Sequence, residues 1–204
     1  YSPDWQSTGA LASLLQAAPE FNDDLLIAYS DVVYEKRTAD LLLGSRGDLV
    51  AAYDSTWQTR YEGRTDEILE EAEKLYRYDS GALAVSRAAL DRGASNGATP
   101  SLLGEYAGLL YLRRGVVEAL ASVGMELAAG EPKAGVPELI NALSRRVAST
   151  PADLKGRWAE LDSEQDLAHF RFGTKAETLL RLGGRLKRSK ILPQLTVRVG
   201  EWLD

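Results

Sequence analysis

The sequence predicts an α/β fold, with a mixed, mostly parallel sheet flanked by helices. Two observations carry this. Short apolar runs bounded by polar residues, at Asp24–Tyr29, Leu49–Tyr53 and Glu105–Leu112, read as strands within a sheet. Between and after them lie stretches with helical spacing and helix-ending signals, so strands and helices alternate as in βαβ units. At 204 residues, 45% of them hydrophobic, the chain is long enough for one such domain to bury a sizeable core.

Taken in order, Ser7 and Thr8 stand before Gly9-Ala10-Leu11-Ala12-Ser13-Leu14-Leu15. This reads as an N-capped helix with Leu11, Leu14 and Leu15 on one face, ended before Pro19. The run Asp24–Tyr29 is nearly continuous in apolar residues, the pattern of a strand buried on both faces in a parallel sheet, and it closes at Ser30-Asp31. A helix from Thr38 to Leu43 ends at Gly44, and the strand Leu49–Tyr53 ends at Asp54. Asp79-Ser80-Gly81 reads as the turn of a hairpin between Glu73–Tyr78 and Ala82–Val85. Residues 91–101, rich in Gly, Ala, Ser and Asn, read as an exposed loop. After the strand Glu105–Leu112 come helices over Gly115–Ala129 and Val136–Arg146. A last strand at Trp158–Asp162 then runs into a helix begun by Ser163. The domain is expected to cover residues 1–170. Residues 171–204, with a basic helix over Thr174–Arg188, read as a linker or the start of a further domain.

Composition narrows the function. A net charge of -6 argues against a general nucleic-acid binder, which carries a basic patch or stripe. With no cysteine, disulfides and Cys-based zinc sites are excluded. The only histidine, His169, has no Gly-x-Ser-x-Gly elbow to accompany it, so a serine triad finds no support. No run approaches the roughly 18–20 apolar residues of a membrane span. The opening Tyr1-Ser2-Pro3-Asp4-Trp5 is neither a signal peptide nor a start with Met, and reads as a chain entered partway.

Two carboxylates attract notice by position. Asp31 closes one strand, and Asp162 closes the last, with Glu160 two residues earlier. Ligands of open α/β sheets bind beyond the carboxyl ends of the strands. Two carboxylates converging there with substrate phosphates suit Mg²⁺, which fills its octahedron with phosphate oxygens and water. Solvated strand ends, or a cap for the following helix, are an equal reading from spacing alone. A second group is aromatic and acidic: Trp57, Tyr61, Tyr106 and Trp158 lie close in sequence to Asp54, Glu105 and Glu160. Rings with nearby carboxylates are suited to an ammonium group, though strand-end aromatics also serve simply as packing.

The segment Leu25-Leu26-Ile27-Ala28-Tyr29-Ser30-Asp31-Val32-Val33-Tyr34 resembles the strand before the metal-binding Asp of nucleotidyltransferases that make nucleotide-sugars and CDP-alcohols. Glu160-Leu161-Asp162-Ser163-Glu164-Gln165-Asp166-Leu167 is similar to that family's terminal acidic element. Tyr53-Asp54-x-x-Trp57-x-x-x-Tyr61-x-x-Arg64 and Gly104-Glu105-Tyr106-Ala107-Gly108-Leu109 fall between them in family order. The nearest resemblance is to phosphocholine and 2-aminoethylphosphonate cytidylyltransferases.

The resemblance implies a Rossmann-like nucleotidyltransferase fold and a cytoplasmic, Mg²⁺-dependent transfer. A nucleotidyl group, most simply from CTP, would pass to a small phosphate or phosphonate acceptor with release of pyrophosphate. Asp31 and Asp162 would hold the metal, and Lys74 would join them in catalysis, with Arg60 or Arg64 as other cations at the acceptor's anionic end. Asp54, Trp57, Tyr61, Arg64, Glu105, Tyr106, Trp158 and Glu160 would bind the acceptor, and Ser7, Thr8 and Ser30 the nucleotide. A sugar-1-phosphate acceptor and a non-catalytic scaffold are the other readings. The family's glycine-rich triphosphate loop and Pro-Lys pair have no match here, so the resemblance implies that the first βαβ unit is missing and that the chain alone is inactive. Ser30 replaces the glycine usual before the metal-binding Asp.

Overall fold

The computed structural model describes residues 4–61, 66–90, 100–161, 164–173 and 175–183, with Arg185, Lys187, Ile191 and Pro193. The described strands are β1 (Leu25–Ala28), β2 (Val32–Tyr34), β3 (Leu49–Asp54), β4 (Lys74–Arg77), β5 (Leu83–Ser86), β6 (Ser101–Leu112), β7 (Ser149–Asp153) and β8 (Trp158–Glu160). The helices are α1 (Ala10–Leu15), α2 (Lys36–Gly44), α3 (Asp66–Glu71), α4 (Arg114–Gly130), α5 (Val136–Leu143), α6 (Glu164–Phe172) and α7 (Lys175–Gly183). The domain boundary expected after residue 170 falls within the last turn of α6. The expected loop at 91–101 lies mostly outside the described residues.

The main sheet has the order β5-β4-β6-β3-β7, with β1 also paired to β6, while β2 and β8 form a separate ribbon. β3 and β7 are parallel, and β6 runs antiparallel to β1, β3 and β4. The α/β class and the mixed sheet are therefore as expected, with β1, β3, β4 and β7 pointing one way. The strand β3 is the fully buried one: Leu49, Val50, Ala51 and Ala52 are all 0% exposed. Alternate residues of β3 face two cores. Leu49 and Ala51 meet α1, α4 and α5 through Leu11, Leu120, Leu139 and Ile140. Val50 and Ala52 meet Leu42 of α2, Leu154 and Trp158.

Two expectations need correcting, and one strand was not expected. β1 is antiparallel to its neighbour, and its burial alternates, with Leu25 and Ile27 half-buried and Leu26 and Ala28 exposed. Its only partner among the described residues is β6, so it lies at a margin of the sheet with one face on the core. The helix α1 is capped by Gly9, not by Ser7 or Thr8. Those two hydroxyls donate instead to the carbonyl of Asp4, closing a turn just upstream. β7 carries the sequence Ser149-Thr150-Pro151-Ala152-Asp153, which has no strand signature; an edge position accommodates Pro151, whose ring nitrogen cannot donate to a ladder.

The long strand β6 carries different partners along its two flanks. β3 and β1 both pair with residues 110–112 of β6, so they occupy opposite flanks of it. β4 pairs with residues 101–105 on the flank away from β3. β1 and β4 therefore share one flank of β6, one behind the other, and both run antiparallel to it. Between them is a break. It is bounded by the Tyr29 N–H donating to Gly108 O at 3.0 Å and the Tyr106 N–H donating to Glu73 O at 2.7 Å.

Candidate active site

The break between β1 and β4 is a cavity of about 260 Å³ floored by Tyr106 and Gly108 of β6. Among the described residues, four carboxylates line it, Glu71, Glu73, Glu105 and Glu160, against one guanidinium, that of Arg87. Its aromatic walls are Tyr29, Tyr61, Tyr106 and Trp158. Of the residues singled out from sequence, Tyr61, Glu105, Tyr106, Trp158 and Glu160 thus come together here. Tyr29, Glu71, Glu73 and Arg87 were not foreseen. Only the fold, by placing β1 and β4 in line, brings their distant segments together.

Glycine is required at the floor. Gly108 has φ +64°, and a Cβ there would lie 2.9 Å from the ring of Tyr29 and 3.0 Å from Val32. Any side chain would be strained and would also push into the cavity walls. Tyr29 is held edge-on against Tyr106, with centroids 5.9 Å apart and an interplanar angle of 87°.

The polar contacts form a chain. The Tyr29 hydroxyl donates to Glu73 Oε2 at 3.1 Å, and Arg87 Nη2 donates to Glu73 Oε1 at 3.4 Å. Glu105, only 3% exposed, accepts a short hydrogen bond from the Tyr61 hydroxyl. The hydroxyl of Tyr106 is buried and has no hydrogen-bond partner among the described residues. Burial first, and then the neighbouring Tyr106 and Glu73, push the Tyr29 phenol well above its ordinary range. Burial, then Glu73, does the same for Tyr106. Both phenols therefore stay neutral and keep a proton to donate.

Other predicted residues stand outside this cavity. Asp54 is fully buried, and its oxygens are taken by four donors. Oδ1 accepts from Thr56 N (2.8 Å), Thr56 Oγ1 (2.7 Å) and Gly156 N (3.1 Å), and Oδ2 accepts from Trp158 Nε1 (3.1 Å). It ties the end of β3 to the turn before β8 and orients Trp158 behind the cavity. Trp57 packs edge-on against Tyr61 at 5.9 Å, one layer back. The Lys74 ammonium lies 5.8 Å from the Trp57 ring and donates to the carbonyls of Leu69, Glu70, Ala72 and Arg87. It clamps the end of α3 to the end of β5. Ser7 and Thr8 are bound to their own turn, and Ser30 is exposed beyond the end of β1.

Asp31 is exposed, and its carbonyl accepts the N–H of Leu161 at 2.8 Å. This bond extends the β2–β8 ribbon, in which Val32 pairs with Glu160, by one residue on each strand. Asp162 itself and Arg64 lie outside the described residues, and the side chain of Arg60 is likewise not described. Among the described residues no group of three or more His, Cys, Asp or Glu side chains is placed to hold a metal, and no helix is long and apolar enough to cross a membrane.

Neither a family model nor a curated protein sequence matches the chain. Solved structures do. A protein from Bacillus anthracis described as a glucose-1-phosphate thymidylyltransferase, in complex with sucrose, superposes with a TM-score of 0.56 at 11% identity, over 83% of this chain and 63% of that one. The inositol-1-phosphate CTP transferase from T. maritima gives 0.52 at 11% identity, over 91% and 65%. The fold is that of the nucleotidyltransferases. A CTP:phosphocholine cytidylyltransferase from Streptococcus pneumoniae shares it as well, with a TM-score of 0.50 at 13% identity, over 88% and 67%. The chain thus spans 63% and 65% of the length of the first two nucleotidyltransferases it matches.

Proposed function

We propose that this chain forms the acceptor side of a nucleotidyltransferase. In this reading a nucleotidyl group, cytidylyl in the first instance, passes from an NTP to a small phosphate or phosphonate that also bears an ammonium group. 2-Aminoethylphosphonate and phosphocholine are such acceptors. The observation that carries the proposal is the cavity between β1 and β4, where four carboxylates and four aromatic rings enclose about 260 Å³. Carboxylates attract an ammonium by charge, and ring faces hold it by cation–π attraction once it is partly desolvated. The shared fold, with two CTP-using transferases among the matches, supports the reaction class.

In the reaction an acceptor oxygen attacks the α-phosphorus of the NTP and forms a new P–O bond. The bond from the α-phosphorus to the oxygen bridging the β-phosphorus breaks, and pyrophosphate leaves with its electrons. Asp31 and Asp162 would hold Mg²⁺, since carboxylate oxygens are the hard donors that this ion takes. When bound, the metal supplies positive charge beside the phosphate oxygens. The chain's own residues position the acceptor: Glu73, Glu105 and Glu160 draw in the ammonium, Tyr61 fixes Glu105, and Tyr29, Tyr106 and Trp158 wall out water. The partners are an NTP and the acceptor, without nucleic acid, and the reaction belongs in the cytoplasm, where NTPs are made.

The fold shared with a glucose-1-phosphate thymidylyltransferase favours a second reading, with a sugar phosphate as acceptor. Pyrophosphate release by the full natural protein, with a panel of NTPs and acceptors, separates the two. Release with CTP and 2-aminoethylphosphonate or phosphocholine, and none with glucose-1-phosphate, is expected. The reverse pattern overturns the proposal in favour of the sugar reading, and no release with any pair leaves a non-catalytic scaffold.

A further inference from the structure

We infer that the Glu73–Arg87 ion pair is a stand-in for a zwitterionic acceptor, and that these two residues set the preference for a ligand carrying both charges. The inference rests on reading the cavity between β1 and β4 as the acceptor site. Glu73 is well shielded, its side chain 19% exposed, whereas Arg87 is 70% exposed. They meet at 3.4 Å, long for a charge-assisted bond, and with the guanidinium largely in water such a pair holds weakly.

The two partners are held unequally. The Tyr29 hydroxyl binds the other oxygen of Glu73, and Tyr29 is itself fixed by its N–H to Gly108 and its ring on Tyr106. The carboxylate therefore stays aimed at the cavity whether or not Arg87 is present. Arg87 is anchored through its backbone, whose carbonyl accepts from Lys74 at 3.2 Å, and its side chain is left to turn. With Glu73 and Tyr29 it also borders a second, larger cavity of about 850 Å³, where Arg145 adds positive charge, as does Lys133, whose ammonium donates to the Gln6 carbonyl at 2.6 Å. Glu138 lines that cavity too, but it is engaged by the Gly135 N–H at 2.7 Å.

A zwitterion entering here exchanges one weak internal pair for two ligand pairs. Its ammonium takes Glu73, and its phosphate or phosphonate takes Arg87. A simple cation must compete with Arg87 for Glu73 and leaves the guanidinium without its anion; a simple anion does the converse. Discrimination therefore comes as much from the protein group left unpaired as from the ligand group that is bound.

Calorimetric titration of the full natural chain with phosphocholine, choline and ethyl phosphate tests this. Phosphocholine is expected to bind at least about tenfold more tightly than either single-charge analogue. Arg87→Gln should weaken phosphocholine about tenfold without weakening choline, Arg87→Lys should recover part of the loss, and Glu73→Gln should weaken phosphocholine and choline but not ethyl phosphate. Circular dichroism confirms that each variant is folded. Equal affinity for choline and phosphocholine, an Arg87→Gln loss shared equally by both, or no binding of phosphocholine to the folded chain overturns the inference. Pyrophosphate release is read separately. If the charge preferences hold and no release occurs, the transfer reaction falls and the inference stands; if release occurs and the preferences are absent, the reverse applies.

Discussion

Replacing Asp54 with Asn takes one negative charge out of a site that water does not reach. The amide oxygen can keep the three bonds now made to Oδ1, from Thr56 N, Thr56 Oγ1 and Gly156 N. Hydrogen bonds to a charged group contribute roughly 1.5–3 kcal/mol and neutral ones roughly 0.5–1.5, so each retained bond loses about 1 kcal/mol. The amide nitrogen then faces the indole N–H of Trp158, two donors with no acceptor, in place of a 3.1 Å bond. An unsatisfied buried donor costs about 1–3 kcal/mol. With some relaxation the whole change should destabilise the fold by about 4 kcal/mol, in the range for breaking a buried charged network. For an m-value of about 2–3 kcal/mol/M, the urea midpoint falls by roughly 1.3–2 M. Unfolding followed by tryptophan fluorescence measures this directly, and acceptor affinity below the transition provides the control. A loss below about 1 kcal/mol, accompanied by a loss of acceptor affinity, would refute the anchoring role and return Asp54 to the ligand contacts.

Two further outcomes are expected. Lys74→Met keeps the apolar stem and removes the ammonium from four carbonyls, so stability should fall by about 2 kcal/mol while kcat stays within about threefold; a hundredfold fall in kcat in a folded variant restores the catalytic role expected from sequence. Asp24 is held below its ordinary carboxylate value first by the Tyr111 hydroxyl at 2.5 Å and then by the N–H of Arg114 at the start of α4. A depressed pKa stabilises the fold above the unfolded value of about 3.9, and that contribution is lost as pH falls through the folded value. The melting temperature of the natural protein should therefore drop more between about pH 5 and pH 3 than that of Asp24→Asn, and parallel curves count against the argument.

The fold was legible where burial leaves a simple mark. β3 is covered on both faces, so Leu49-Val50-Ala51-Ala52 is an unbroken apolar run, and Gly81 at φ +88° marks the β4–β5 turn as its sequence implies. β7 was not legible, because Ser149-Thr150-Pro151-Ala152-Asp153 is made a strand by its parallel partner β3 and not by local preference. The direction of β1 was hidden for a similar reason: a short apolar run does not reveal which way its neighbour runs. At the site, the motif residues Tyr61, Glu105, Tyr106, Trp158 and Glu160 converge as a group. Asp54 and Lys74 come from the same segments, yet spacing does not disclose that their hydrogen-bonding capacity is already filled by the backbone, Thr56 and Trp158. Tyr29 follows β1, and Glu73 and Arg87 stand on either side of the β4–β5 hairpin, so no short sequence window contains them together.

The placing of β1 and β4 in line along β6 bears on how such a protein changes over time. β6 spans both sides of the break, setting register through Leu109–Leu112 for β1 and Ser101–Glu105 for β4, while β5 pairs with β4 along its other edge. Tyr61, Glu71 at the end of α3, and Arg87 just past β5 all stand outside those ladders. Substitutions there can reshape the cavity while every strand pairing persists. Gly108 is the opposite case, a position where descent has almost no latitude, since any side chain closes the cavity and strains the strand together. The cavity in this architecture is thus free to drift at its walls and frozen at its floor.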